Sequence, residues 1–205
     1  MKDIKITVIA FLVFSLALLA QGSIYNDPAA IAGFTNKTTF NITMDGQSLQ
    51  ADVEYAVYAP GDYTGHDLSG GNEYVYAYQI FNSSQSNVTV DFFSIGIMSG
   101  SYIDFIYTDT TYGTAGGNDP FAFNFPQSAG YAFISNSINP GQWSSVLVFT
   151  SIYSPMEGFG TISGGGLGDM GAFATPSLYT IPEPATIGVL ALGAFVIPKK
   201  RNKKS

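Results

Sequence analysis

The chain has 205 residues, with 15 Asp and Glu against eight Lys and Arg, and a formal net charge of −7 at pH 7. Seven of the eight basic residues lie within the first five or the last seven positions, and Lys37 is the only one between them. Residues 23–181 therefore carry one positive and thirteen negative side chains, a net of −12. A surface this acidic repels nucleic acid and anionic lipid, and we exclude both as partners of this region.

Cysteine is absent from the chain. An exported domain without cysteine has no disulfide bonds and depends on its hydrophobic core for stability. Residues 23–181 are 159 residues, which is enough for one core and one domain.

The first 22 residues have the pattern of a secretory signal peptide. Two lysines form a basic start, residues 6–20 are apolar apart from two hydroxyl side chains, and residues 20–22 read Ala-Gln-Gly. Small residues at the first and last of these three positions are what a signal peptidase recognises. We expect cleavage between Gly22 and Ser23, and an uncleaved N-terminal anchor is the alternative.

The region from residue 23 to 153 shows period-two alternation of apolar and polar residues, which predicts β-strands. The runs are separated by turn residues such as Asp45-Gly46 and Asn139-Pro140-Gly141. About eight short strands result, over residues 39–44, 52–59, 74–80, 88–97, 102–108, 121–125, 131–133 and 143–151. Their spacing predicts an all-β fold, an antiparallel β-sandwich with jelly-roll or immunoglobulin-like connections. A closed barrel is the alternative.

Two details of this pattern go beyond the strand count. Phe93, Ile95 and Ile97 alternate out of step with Val88 and Val90, which predicts a bulge near residues 92 and 93. Residues 154–181 are rich in glycine and proline, and we expect them to form a flexible spacer that holds the domain away from a membrane.

Nucleophilic catalysis has little support in the sequence. His66 is the only histidine, and it shares its loop with the acids that could orient it, Asp62 and Asp67. Ser99 and Ser163 have glycine neighbours, but neither lies in a Gly-x-Ser-x-Gly motif. We therefore predict no catalytic residue and interpret His66 as a solvated loop side chain.

Paired carboxylates are the other source of hydrolytic chemistry. A glycosidase needs two carboxyl groups about 5 Å or about 6.5–9.5 Å apart across a cleft. The sequence places no two acids together, so a matrix glycosidase is the least favoured alternative. The acids that could point from strand faces are Asp52, Glu54, Glu73, Asp91 and Asp104.

Two binding functions stay open as alternatives. Residues 62–73 and 104–119 contain the oxygen ligands that calcium prefers, but neither matches a known calcium-loop pattern, and we predict no metal and no cofactor. A row of tyrosines would stack on sugars if one sheet face exposed it, although tyrosine also packs well in strands. These residues are Tyr55, Tyr58, Tyr74, Tyr76 and Tyr78.

The last 24 residues contain three parts in a fixed order. The triplet Pro182-Glu183-Pro184 precedes an uncharged apolar run at residues 185–197. A helix of this length covers about 20 Å, less than the roughly 30 Å hydrocarbon core of a bilayer, and basic side chains beyond it extend the span. A Lys/Arg cluster favours the cytoplasmic side. Its members are Lys199, Lys200, Arg201, Lys203 and Lys204.

This tail resembles the PEP-CTERM sorting signal of Gram-negative-type bacteria that make extracellular polysaccharide. The resemblance covers residues 182–204. The chain departs from the usual family pattern in two ways: its basic cluster is mostly lysine rather than arginine, and Pro198 lies at the junction between the apolar run and the cluster. It implies that an exosortase recognises the triplet, cuts near it, and releases or transfers the exported domain.

Together the two ends imply one topology, in which both ends start in the cytoplasm and residues 23–181 lie outside. We expect an exported, exosortase-sorted protein of the cell surface or extracellular matrix, with a structural or interaction role and an inner-membrane intermediate. Signal peptidase and exosortase are the expected processing partners. A carbohydrate- or calcium-binding module of the polysaccharide matrix is the alternative.

Replacing Pro182-Glu183-Pro184 with three alanines should leave the protein uncleaved in the membrane of a host that carries the exosortase. Mass determination of the secreted and membrane fractions measures this. A mature mass ending near residues 181–184 that disappears in the triple variant supports the sorting hypothesis. A full-length tail in both proteins would identify a plain C-terminal anchor.

Overall fold

A computed structural model describes residues 22–125 and 127–177 of the chain. Ten strands in these ranges form two five-stranded sheets in which all paired neighbours are antiparallel. The predicted all-β fold with two antiparallel sheets is confirmed. The predicted signal helix and C-terminal membrane helix lie outside the described residues.

Each sheet combines strands from distant parts of the chain. A short 3-10 helix, Ile24–Asn26, precedes the first strand. In spatial order, sheet 1 contains β1 (Thr35–Met44), β2 (Gln47–Tyr58), β3 (Tyr74–Asn82), β8 (Val146–Ser151) and β5 (Ile106–Asp109). Sheet 2 contains β10 (Leu167–Pro176), β9 (Pro155–Gly164), β4 (Phe92–Gly96), β7 (Ser128–Ala132) and β6 (Phe121–Phe125).

The predicted turn at Asp45-Gly46 connects β1 and β2. The two strands pair without interruption from Thr35 opposite Ala56 to Met44 opposite Gln47. Asp45 and Gly46 have φ angles of 51° and 80°. Two successive left-handed residues favour the tight turn that matches the right-handed twist of a hairpin.

The core between the sheets is aromatic. Tyr78 of β3, Phe93 of β4 and Phe173 of β10 are fully buried, and their ring centroids lie 5.6–6.1 Å apart. The Tyr78 hydroxyl donates a hydrogen bond to the carbonyl of Ala174, so one side chain of sheet 1 is bonded to the backbone of sheet 2. Burial raises the pKa of Tyr78 well above its usual value, and the hydroxyl stays protonated.

A second, smaller apolar cluster covers the outer face of sheet 1. Ile24 and Tyr63 pack there against Tyr58, Ala77 and Val148, which point away from the main core. Alternation predicts a solvated outer face for β2, but these segments bury it. Strands covered on both faces lose the polar half of the pattern, as β3 does and as β2 does over residues 53–58.

The predicted break in alternation near Phe92 and Phe93 is present. Val90 makes an isolated bridge with Ile138, and regular pairing of β4 begins at Phe92. Val90, Phe93 and Ile95 all point into the core, so the inward face changes phase between Val90 and Phe93. Phe92 therefore lies on the outer side, although its spacing from Val88 and Val90 predicts the inner side.

Residues 154–181 are predicted to form a flexible spacer, and this prediction is wrong for residues 155–176, which form two strands and the turn between them. β9 and β10 pair along their whole length, and β9 also pairs with β4. Trp143 to Ser151 is therefore not the last strand segment, and the domain extends beyond residue 153 to at least Ser177.

The glycines of this segment serve close packing and turning. Gly165 and Gly166, with φ angles of 58° and 83°, form the turn between β9 and β10. A Cβ on Gly164 would lie 1.7 Å from the carbonyl oxygen of Thr89, and one on Gly160 would lie 2.7 Å from the carbonyl oxygen of Ser94. Glycine content predicts flexibility only where the backbone is solvated, and here neighbouring backbone excludes a side chain.

Within residues 22–125 and 127–177, no helix is long and apolar enough to cross a membrane. The sorting triplet, the apolar run and the basic cluster lie outside those ranges, as does the predicted signal peptide apart from its last residue, Gly22. Ser23 follows it and donates a side-chain hydrogen bond to Glu54 of β2.

Candidate functional site

The structure separates most of the carboxylates that the sequence offered for acid–base chemistry. Asp52 is paired with Lys37 at 2.9 Å, and Glu54 accepts a hydrogen bond from Ser23. Asp91 accepts a hydrogen bond from the Thr89 hydroxyl at 2.7 Å. These three acids are held by different local partners and do not form a common site.

Glu73 and Asp104 are the two predicted acids that come together. Glu73 is 7% exposed. Its burial raises its pKa, and a hydrogen bond from Thr150 opposes that effect, whereas the neighbouring Asp104 adds to it through its charge and a hydrogen bond. The two carboxyl groups therefore interact electrostatically, and among the described residues the Oε2 atom of Glu73 has no hydrogen-bond partner.

Acidic side chains of the two loops accept hydrogen bonds from other groups of the protein. Asp67 accepts the amides of Ser69 and Gly71 at 2.8 and 2.9 Å. Asp119 accepts a hydrogen bond from Ser145. Among the described residues, no three His, Cys, Asp or Glu side chains are grouped so that they could hold a metal ion.

Asp109 joins these two loops. Its carboxylate accepts the Tyr63 hydroxyl at 2.9 Å, the amide of His66 at 2.7 Å, and the amide and hydroxyl of Thr111 at 2.8 and 2.7 Å. These donors outweigh the opposing effect of burial and hold the pKa of Asp109 below its usual value. The His66 side chain is exposed and lies edge-on to the Tyr107 ring.

The predicted tyrosine row packs inside the protein. Tyr58, Tyr76 and Tyr78 are fully buried, and Tyr55 and Tyr74 are half-buried. Tyr76 donates its hydroxyl to the carbonyl of Tyr153 at 2.8 Å. The alternative in which this row stacks on sugars is therefore wrong, because these rings form the core.

The structure instead exposes a different set of aromatic side chains, on the outer face of sheet 2. Phe121 and Phe125 of β6 are 68% and 57% exposed, and Phe159 of β9 is 64% exposed. Phe123 lies between the first two, with ring centroids 6.3 Å from Phe121 and 5.0 Å from Phe125. The Phe92 ring of β4 stacks on Phe123 at 5.9 Å.

Strand register arranges this face as three rows of five residues, which we call the outer face. The residues between them along each strand, such as Phe93, Tyr131 and Ile162, point into the core. From β10 to β6, the rows are Ala172, Phe159, Gly96, Ser128, Phe125; Met170, Thr161, Ser94, Gly130, Phe123; and Gly168, Ser163, Phe92, Ala132, Phe121.

None of the fifteen outer-face residues carries a charge, and the exposed Glu157 lies just beyond the first row, two residues before Phe159 on β9. Apart from Phe92, the β4 and β7 positions of the three rows carry Gly, Ser or Ala and form a floor on a sheet about 19 Å wide across five strands. The Phe123 ring lies on this floor, because a Cβ on Gly130 would come within 2.2 Å of it. These exposed aromatic side chains make the outer face the candidate interaction site of the described residues.

Sequence reasoning found the alternation of Phe121, Phe123 and Phe125 but not the side on which it lies. A signal was present, since the facing strand contains Ser128 and Gly130 at the paired positions, too small for a core layer. The comparisons add no assignment: no family model, curated protein or solved structure matches the chain. The outer face is therefore interpreted from its own geometry and chemistry.

Glu73→Gln and Asp109→Asn should change stability in opposite directions at pH 7.5. The raised pKa of Glu73 means that its ionised form costs stability above that pKa, so the glutamine variant should be more stable, with a gain that shrinks as pH falls towards 4. The lowered pKa of Asp109 means that its ionised form stabilises the fold, so the asparagine variant should lose about 2 kcal/mol or more. That loss should be largely retained at pH 4, because the stabilising effect disappears only as pH falls through the lowered pKa of Asp109.

Urea unfolding of both variants and the parent at pH 7.5 and pH 4 measures these effects. The two substitutions are matched, because each replaces a buried carboxylate by its isosteric amide. Destabilisation by Glu73→Gln at pH 7.5 would contradict a cost of burying the ionised Glu73 side chain.

Proposed function

We propose that the chain is an exported, exosortase-sorted protein of the cell surface or extracellular matrix with a structural or interaction role. The signal-peptide pattern, the Pro182-Glu183-Pro184 tail and the acidic, cysteine-free sandwich support this proposal. Signal peptidase and exosortase are its processing partners. We also propose that a signal helix and a C-terminal membrane helix flank the sandwich, and that its strands have jelly-roll or immunoglobulin-like connections.

The observation that carries the interaction role is the outer face of sheet 2. Phe92, Phe121, Phe123, Phe125 and Phe159 lie on it, with no charged residue among its fifteen positions. A monomeric soluble domain that only needed solubility would place charges there, as antiparallel sheets with one solvated face do.

A neutral polysaccharide is the partner that this chemistry favours. Sugar rings present flat C–H faces that pack on exposed aromatic rings, and the Ser94 and Thr161 hydroxyls, bonded to each other at 2.8 Å, lie in the central row. The absence of charge on the face gives no attraction for anionic polymers, and the net charge of residues 23–181 repels them. A carbohydrate-binding module using this face is thus the second candidate function.

Phe121→Ala combined with Phe125→Ala should weaken binding to an insoluble neutral glucan such as cellulose by about tenfold, since each ring contact contributes about 0.5–1.5 kcal/mol. Both side chains are exposed, so the fold should be retained. Ile134→Ala is the control, because Ile134 is 82% exposed but lies beyond the end of β7.

Pull-down with cellulose, a neutral mannan and anionic alginate measures the effect, with sedimentation velocity run in parallel. Equal retention of the parent and the double variant on the neutral polymers would contradict the proposal. So would a concentration-dependent dimer that the double variant abolishes, because the outer face would then bind a second copy of the chain.

A further inference from the structure

We propose that the end of the sandwich where the chain leaves β10 rests on the surface of the membrane that holds the C-terminal tail. The inference rests on the proposed function, because it requires the apolar run to be a membrane anchor. It concerns a surface separate from the outer face of sheet 2 and a partner of different chemistry, the interfacial layer of a bilayer.

The position of the chain exit follows from hydrogen bonds around Ser177. Its amide donates to the carbonyl of Ser154 at 2.8 Å, and its carbonyl accepts the Ser101 hydroxyl at 2.9 Å. Ser151 donates its hydroxyl to the carbonyl of Tyr102. The segments around residues 98–105 and 151–154 therefore surround the point at which β10 ends.

These two segments present exposed apolar side chains at the exit. Tyr102 is 57% exposed, Ile152 is 52% exposed, Met98 is 41% exposed and Phe105 is 37% exposed. We call Met98, Tyr102, Phe105 and Ile152 the exit pole. Aromatic and aliphatic side chains of this kind are typical of surfaces that enter the headgroup region of a bilayer.

The charged residues of these two segments indicate which lipid headgroups the exit pole can contact. Residues 98–105 and 151–154 contain one charged residue, Asp104, and no basic residue. A polybasic patch for anionic headgroups is therefore lacking in them, and a zwitterionic surface is the matching partner.

The length of the tether brings this pole to the membrane. Because β9 and β10 belong to the sandwich, only seven residues separate Ser177 from Ala185, where the apolar run begins. Eight residue steps span at most about 27 Å. A tether of this length keeps the exit pole at a millimolar effective concentration next to the bilayer, where a weak apolar contact is sufficient for docking.

The opposite end of the sandwich provides the control. The turn at Gly165-Gly166 and the exposed Ile134, which follows β7, lie at that end, since the paired residues Ser163, Phe92 and Ala132 connect them across sheet 2. An Ile134 label should therefore remain in water when the exit pole touches lipid.

Single cysteines in the cysteine-free chain test the proposal. Ile152→Cys, Ile134→Cys and Gly188→Cys, each with the tail intact, would be labelled with an environment-sensitive fluorophore and reconstituted in phosphatidylcholine vesicles containing nitroxide-labelled phosphatidylcholine. Quenching at Ile152 should exceed that at Ile134 by at least about twofold, and quenching at Gly188, inside the apolar run, should be the strongest.

The label at Gly188 distinguishes a failure of the docking from a failure of the membrane anchor. Strong quenching at Gly188 with equal, weak quenching at Ile152 and Ile134 would overturn the docking while leaving the anchor intact. Absence of quenching at Gly188 would overturn the anchor and the docking together.

Met98→Asp combined with Tyr102→Asp separates lipid contact from mere proximity. Both side chains are exposed, so the fold should be retained, and the Ile152 label should fall to the level of the Ile134 label. If its quenching stays unchanged, the short tether alone holds the domain near the lipid, and the proposed apolar contact is wrong.

Discussion

The contact of Phe173 with aromatic rings from both sheets is the interaction on which the rest of the structure depends. Phe173 of β10 lies against Tyr78 of β3 at 6.1 Å, Phe93 of β4 at 5.6 Å and Tyr55 of β2 at 5.7 Å. The chain has no cysteine for a disulfide bond, so it depends on burial of this kind for its stability. The last strand of the domain thus supplies the ring at the centre of its core.

The two outer faces of the sandwich differ because only one of them is covered. Over sheet 1, three tyrosine rings, Tyr58, Tyr63 and Tyr112, pack within 4.7–6.0 Å of one another, and Asp27 and Asp109 accept hydrogen bonds from Tyr58 and Tyr63. Over sheet 2, no comparable segment among the described residues covers the phenylalanines. Loops therefore cover the outer face of sheet 1, and the aromatic outer face of sheet 2 stays exposed. This exposed face is where a partner would bind.

The fold class was predictable because period-two alternation and turn residues are local signals. The hairpin at Asp45-Gly46 is an example, since its turn requires the left-handed backbone that these residues tolerate. The strands at Pro155–Gly164 and Leu167–Pro176 were missed because their glycines resemble a linker until the neighbouring backbone is known. The candidate site was missed for a related reason: alternation identifies two faces of a strand, but only the packed sheet shows which face is outside.

The place of β10 in the core is tested most directly by comparing two phenylalanines of the missed segment. Phe173→Ala should lower the free energy of unfolding in urea by about 3–5 kcal/mol, as truncation of a buried aromatic side chain does. Phe159→Ala, an identical change on the exposed face of the adjacent strand, should change it by less than about 1 kcal/mol. If both variants unfold with the midpoint of the parent protein, residues 154–177 are a linker, and the core and the open face described above are contradicted together with the short tether proposed from them.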